Sequence, residues 1–414
     1  MIRAEHSIPI LFGASVLLQR FSLPGGVIAL LLPVVLLWCA VGWWQGWLEL
    51  DRQRTWLFLV AACATALTAL AQGLLVSGAR LSVLSWGLFI TVWAPAALRL
   101  VDRSREALVG ALRVCVGVGV ALAAACVGMV LAQLVGWQYR DVVADVVPAS
   151  LLVDGYVITY PLSYTSPIMR ANALIGLEPS IVSLQLGVAL VLALVVRSRP
   201  WVLGALLLGL VCTASGSGLF VVAIALVVML AHPIRRRLLP LLVPAGVAVA
   251  LLALTPQGQG IAARITESTV AGSSTSLRAL QPYAVAWPQW ISDPLGVLVG
   301  WGAGSSQALM SATRIPGLLV PSPMKVFYDY GLIAGVLLAC FLLACYVGGP
   351  LRSLSLALLA SSWLLQPGTT TVVLVLPTLL FVTWWAPRIG AVVEMDPPTT
   401  GERAEKLETV MART

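Results

Sequence analysis

Ile168 to Arg199 reads IMRANALIGLEPSIVSLQLGVALVLALVVRSR, and this stretch decides the architecture of the chain. From Pro179 to Val196 it holds no charged side chain, and Arg197 and Arg199 close it. A helix rises about 1.5 Å per residue, so a run of this kind comes close to the roughly 30 Å of a bilayer's hydrocarbon. Lipid offers backbone groups no partner, and a helix satisfies its own. Pro179 suits a first helical turn because it has no N–H to leave unpaired, and the Glu178 carboxylate complements the positive helix end.

Similar runs recur in both directions. They span roughly 7–21, 25–46, 55–77, 81–98, 109–136, 179–196, 200–215, 218–233, 238–254, 325–347, 352–366 and 370–387. The fold class is therefore all-α: a polytopic transmembrane bundle of about twelve helices in one integral domain, residues 1–388. Composition agrees, with 59% hydrophobic and only 10% charged residues, against about 25% charged in soluble domains. Arg3 followed by the apolar run Ser7–Gln19 imitates a signal peptide, but no small-residue cleavage site precedes Arg20, and the run reads as a first helix.

The arginines orient the bundle. With both termini in the cytoplasm, Arg52, Arg54, Arg99, Arg103, Arg105, Arg197, Arg199, Arg235–Arg237 and Arg352 all fall inside, as the positive-inside rule requires. The expected location is an inner (plasma) membrane. The triplet Arg235–Arg237 reads as a topology determinant rather than a dedicated anionic-lipid site. The formal charge of +8 implies no nucleic-acid partner, because the basic residues sit at helix ends and form no patch. Residues 389–414 are polar and of mixed charge and read as a disordered cytoplasmic tail.

Two long segments, about 137–179 and 256–324, fall outside, and loops of such length usually carry function. Tyr156, Tyr160, Tyr164, Tyr283, Trp287 and Trp290 argue that they are ordered. All seven cysteines lie in predicted helices, so no disulfide framework is indicated. The two histidines, His6 and His232, are not external. No external zinc site or Ser-His-Asp set can be assembled, and no metal or other cofactor is expected.

Three clusters in these segments bear polar chemistry. Arg170, Asn172 (the only asparagine) and Glu178 gather where the first segment re-enters the membrane. Arg170 and Glu178 read either as a structural pair or caps, or as a guanidinium that grips phosphate beside a carboxylate able to act as a base. In SLRALQPYAVAWPQWISDPLGVLVGWGAG, Ser276–Gly304, the residues Leu277, Leu280, Ala284, Trp287 and Ile291 recur at helical spacing. They predict a helix in the interface plane, with Arg278 near its polar face and Pro282 and Pro288 liable to break it. Its GWGAG end lacks a strand–turn–helix context and reads as a tight turn, not a nucleotide site. In PSPMKVFYDYG, Pro321–Gly331, Lys325 and Asp329 are four apart and either pair with one another or, with Tyr328 and Tyr330, line a sugar site at the outer mouth. TASGSG, Thr213–Gly218, reads as a small-residue packing turn.

In this order, the motifs resemble the O-antigen polymerase and O-antigen ligase superfamily. The likeness rests on Arg170 followed by Glu178-Pro179-Ser180, the Thr213–Gly218 turn and an arginine-bearing helix in the second external loop. The Pro294–Gly304 glycine run and Tyr330-Gly331 complete it. The motifs run from Arg170 to Gly335, and the remainder matches by topology. The resemblance implies a metal-independent glycosyltransferase that moves a glycan from a polyprenyl-diphosphate donor to an acceptor glycan hydroxyl on the external face. It implies that Arg170 and Arg278 bind the donor diphosphate, with Arg264 and Lys325 as further basic candidates. Glu178 is the first candidate base and Asp329 the second. Implied partners are the lipid-linked glycan, membrane lipid and a chain-length regulator or flippase. The ligase branch usually has a histidine before helix ten, where this chain has Pro321-Ser322-Pro323, so the polymerase-like branch fits better than ligase-type transfer. A twelve-helix transporter or flippase of lipid-linked sugars is the rival, and it should show repeat symmetry and matched broken helices.

Overall fold

The computed structural model describes residues 4–76, 81–162, 166–231, 274–315, 317–366 and 370–386. The chain is mostly helical. Helices α1 (Ala4–Leu17), α2 (Leu31–Trp44), α3 (Arg52–Leu75), α4 (Val83–Trp93) and α5 (Arg105–Leu134) come first, followed by a single turn, α6 (Val142–Val146). Next come α7 (Pro179–Val195), α8 (Pro200–Cys212) and α9 (Gly216–Leu230). Four short helices follow: α10 (Ser274–Ala279), α11 (Gln281–Ile291), α12 (Pro294–Val299) and α13 (Ser305–Ala312). The last are α14 (Ser322–Tyr346), α15 (Arg352–Leu364) and α16 (Val372–Thr378), which continues into a π-helical turn at Leu379–Thr383. Every expected span but 238–254, which lies outside the described residues, falls on one of these helices. The tail 389–414 also lies outside them. By length and composition, α3, α5 and α14 are able to cross a membrane, and the other apolar helices are shorter.

Local chemistry sets the helix starts. Asp51, Ser82 and Ser104 accept from the backbone N–H groups of Arg54, Ser85 and Ala107, each supplying an orphan donor with a partner. Pro179 and Pro200 open α7 and α8. The opening stretch becomes the central helix. Pro179 to Ala193 of α7 are all buried, as expected of a helix that is apolar on every side.

Small residues let its neighbours close in. Gly218 of α9 rests against the backbone of Ser183 and Gly187 of α7, where a Cβ would overlap the Ser183 carbonyl. Ser183 Oγ donates to Ser215 O at 3.0 Å and accepts from Gly218 N at 3.0 Å. The Thr213–Gly218 turn thus packs α7 on α9. Gly119 and Gly209 admit Ala189 and Ala123 in the same way, joining α5 to α7 and α8.

Helix ends alternate between two poles of the bundle. At one pole, Leu48–Leu50 (β1) pairs antiparallel with Leu98–Leu100 (β2), with Glu49 opposite Arg99. Arg54, 2% exposed, bonds Asp51 and the Thr383 carbonyl there, and Leu100 N donates to Trp384 O at 3.0 Å. Trp43, Trp44, Trp56 and Trp201 ring this pole with exposed indoles, the distribution of a headgroup-level belt. At the opposite pole, the first long segment folds against the α1–α2 turn, with Ser22 N donating to Leu151 O and Val153 N to Arg20 O. Arg20, 2% exposed, grips Asp141 with both terminal nitrogens, at 2.6 and 2.7 Å.

This fork holds the Asp141 carboxyl below the usual carboxylate range, the Arg20 hydrogen bonds being the main cause. A depressed folded value means that the contribution to stability is present above the unfolded carboxylate range and is lost as pH falls through the folded value. Asp141→Ala leaves a buried guanidinium without its anion. We expect a loss of about 3 kcal/mol, measured by thermal unfolding in detergent at neutral pH, and a smaller difference from the parent chain below the folded Asp141 value.

Candidate functional site

The described part of the second long segment builds a small core of its own. Ala286, Met310, Leu318, Val320, Met324 and Tyr328 are buried together, with Tyr283, Trp290 and Trp301 against them. On α11 the opposite face is apolar too: Leu280, Trp287 and Ile291 are exposed, and Leu295 and Leu298 continue the row along α12. The exposed row follows the expected apolar spacing, with one correction. Leu277 precedes the break between α10 and α11 and packs into the cap core instead.

The two long segments meet at an ion pair. Arg278 Nη2 lies 2.8 Å from Glu178 Oε1, and both side chains are largely covered, at 14% and 13% exposure. The Ser180 hydroxyl donates to the same Oε1 at 2.7 Å. Glu178 therefore pairs with the second segment, and the expected alternative pairing with Arg170 is not made. Arg170 stands instead over the Tyr160 ring, 5.8 Å from its centroid, with its Nε buried and unpartnered. Backbone contacts fix it there, since Arg170 N donates to Tyr160 O at 2.8 Å and Thr159 Oγ1 donates to Arg170 O at 2.9 Å. Burial, with Glu178 as a smaller cause, pushes the phenols of Tyr156 and Tyr160 up. The Tyr160 phenol thus feels the Glu178–Arg278 charges while its ring lies under Arg170.

Asn172 organises this turn. Its Nδ2 donates to Tyr139 Oη and Ile158 O, and its Oδ1 accepts from Leu174 N at 3.0 Å. Ala173 and Leu174 take the left-handed backbone that these bonds require. Beside the turn opens a cavity of about 350 Å³, lined by Asp154, Tyr156 and Thr371 at its polar edge and by Leu88, Val92 and Val373 on apolar walls.

Asp329 is the centre of a separate knot. It is fully buried and accepts from Lys325 Nζ at 2.7 Å, Gly304 N at 3.0 Å and Ser306 N at 2.8 Å. Lys325 also donates to Ser85 Oγ at 3.0 Å, and Gln72 Nε2 donates to the Asp329 carbonyl at 2.9 Å. Tyr330 is buried near Phe89, and Tyr328 stacks on Trp301 inside the cap. These four residues had two readings, and the geometry is that of the pairing. Lys325 is neutralised, Asp329 is saturated, and neither tyrosine lines an open outer mouth. Arg264, Tyr164 and Arg235–Arg237 lie outside the described residues.

The glycine run serves the same knot. Gly300, Gly302 and Gly304 all have positive φ, so the expected tight turn is there. Gly331 interrupts α14 at φ 69, ψ −178, and its backbone touches that of Gly300.

Among the described residues, no group of His, Cys, Asp and Glu side chains is placed to hold a metal ion. No family model, curated protein or solved structure matches this chain. Sequence reasoning missed the partner of Glu178, the role of Tyr160 and the Arg20–Asp141 clamp, since each joins segments whose contact no local pattern announces.

The knot gives a sharp expectation for Gly331. Only glycine adopts that backbone without strain, and an added Cβ would strike the Gly300 backbone. Gly331→Ala should cost about 3 kcal/mol and detach the cap, read as a lower unfolding temperature with faster proteolysis of residues 274–315. Unchanged protection would contradict the role given to this contact.

Proposed function

We propose that the chain is a polymerase-type glycosyltransferase, drawing a glycan from a polyprenyl-diphosphate donor at the external face of an inner membrane. The bundle has about twelve helices, with its termini in the cytoplasm and its two long segments outside. One observation carries the reading: Arg278 of the second long segment pairs with Glu178 of the first, the segment in which Arg170 lies over Tyr160 with a buried, unpartnered Nε. Two guanidiniums, one from each segment, suit the adjacent phosphates of a diphosphate. The exposed α11–α12 stripe keeps them at headgroup depth, where a lipid-linked diphosphate sits.

The chemistry follows from the charges. The acceptor hydroxyl oxygen attacks the anomeric carbon, and the bond from that carbon to the diphosphate oxygen breaks with its electron pair going to the diphosphate. The hydroxyl proton passes to the Glu178 carboxylate. Arg170 and Arg278 lower the barrier by holding the negative charge that grows on the leaving group. The base role stays with Glu178, because Asp329 is closed off by its own donors.

A transport reading draws on one observation, the broken helix α14 with its buried Lys325–Asp329 pair. Yet the backbone groups near that break are taken by the protein itself. Trp301 N and Gly302 N donate to the carbonyls of Tyr328 and Asp329. The break seats the cap, and the Tyr328 and Asp329 carbonyls beside it are already taken.

Arg170→Ala and Arg278→Ala should each lower polymer synthesis in membranes by roughly 10²–10³-fold at unchanged protein level, read as glycan chain-length distributions. Normal polymer from both variants would remove this reading.

A further inference from the structure

Resting on the proposed donor site, we infer that Glu178 is its specificity gate. Its carboxylate occupies the diphosphate's place on Arg278 and thereby excludes the single-charged phosphodiester headgroups of bulk lipid.

The problem this answers is physical. A guanidinium at headgroup depth faces anionic phospholipid in great excess over any lipid-linked diphosphate. An unguarded fork would be occupied by whichever phosphate is commonest. Here Arg278 is already satisfied by Glu178 at 2.8 Å, in a site where both side chains are largely covered. The Ser180 hydroxyl holds that carboxylate oxygen at 2.7 Å, so the resident anion is oriented as well as present.

Exchange then depends on charge. A phosphodiester that displaces Glu178 trades one monoanion for another and strands a covered carboxylate, which is unfavourable. A diphosphate carries more charge and spans two phosphates, so it takes Arg278 while its second phosphate reaches the Arg170 side. There, the Nε is buried and unpartnered. Discrimination arises from the penalty placed on the wrong ligand together with the extra contact offered to the right one. The exchange also leaves Glu178 unpaired when donor is bound, which is the state in which it accepts a proton.

The test uses the full chain in nanodiscs and a labelled short polyprenyl diphosphate as probe. Binding is measured in phosphatidylcholine alone and with added phosphatidylglycerol. The parent chain should bind the probe with little dependence on phosphatidylglycerol. Glu178→Gln keeps the shape and removes the charge. It should bind the probe roughly ten- to hundredfold more tightly in phosphatidylcholine, the worth of one charge-assisted bond, and lose that gain when phosphatidylglycerol is added. Glu178→Asp, which keeps the charge, should behave like the parent chain and guards against a folding defect. If the parent binds and Glu178→Gln shows neither tighter binding nor lipid sensitivity, the gate is wrong while the donor site stands. If neither chain binds the probe, the donor site falls, and the gate with it.

Discussion

A positive side chain placed near hydrocarbon must have an anion or a carbonyl within reach, and that requirement organises this protein. Among the described residues, most covered cations are matched with an anion. Arg20 holds Asp141, Arg54 holds Asp51 and Thr383 O, Arg99 holds Glu49, Lys325 holds Asp329, and Arg278 holds Glu178. Each pair sits at a helix end or in a segment folded on one. Arg170 stands out against this pattern, because its Nε is buried without a partner while an aromatic face covers the group. Among the described residues the other covered cations are satisfied, and this unsatisfied nitrogen is what the proposed donor site draws on.

The same pairs tie sequence to shape. The Arg20–Asp141 fork ties the first long segment to the α1–α2 turn, and Glu178–Arg278 binds that segment to the cap. Asp329 then fastens the cap to α14 through Gly304 and Ser306. The described residues of this pole therefore form an ordered layer resting on helix ends. Among the described residues, Glu178–Arg278 joins the two segments directly through a charged pair. A bond between segments that also resembles a ligand contact couples binding to the arrangement of the layer.

Much of this was legible in the sequence, and the divide has a physical cause. Charge-free runs bounded by arginines announced the helices, because lipid tolerates little else. The GWGAG turn, the packing role of Thr213–Gly218 and the i, i+4 pairing of Lys325 with Asp329 were readable, since each is a local matter of backbone freedom or helical spacing. The β1–β2 pairing was not, because Leu48–Leu50 and Leu98–Leu100 look like the frayed ends of apolar runs. Nor was the choice of Arg278 over Arg170 as the partner of Glu178. That choice depends on how a hundred intervening residues fold, and near neighbours in sequence are the natural but wrong guess. Tyr328 and Tyr330 misled for a related reason. A tyrosine at a helix mouth serves equally well as a sugar platform or as core, and here Tyr328 is buried in the cap core and Tyr330 in the bundle core.

The central claim is that both long segments touch one lipid diphosphate, and labelling tests it most directly. A polyprenyl diphosphate bearing a photoreactive group beside its phosphates is activated in native membranes, and the modified peptides are mapped by mass spectrometry. The account predicts labels on peptides containing Arg170 and on peptides containing Arg278, both suppressed by excess unlabelled lipid diphosphate. Labels confined to one segment, or spread evenly along the lipid-facing helices, would contradict it.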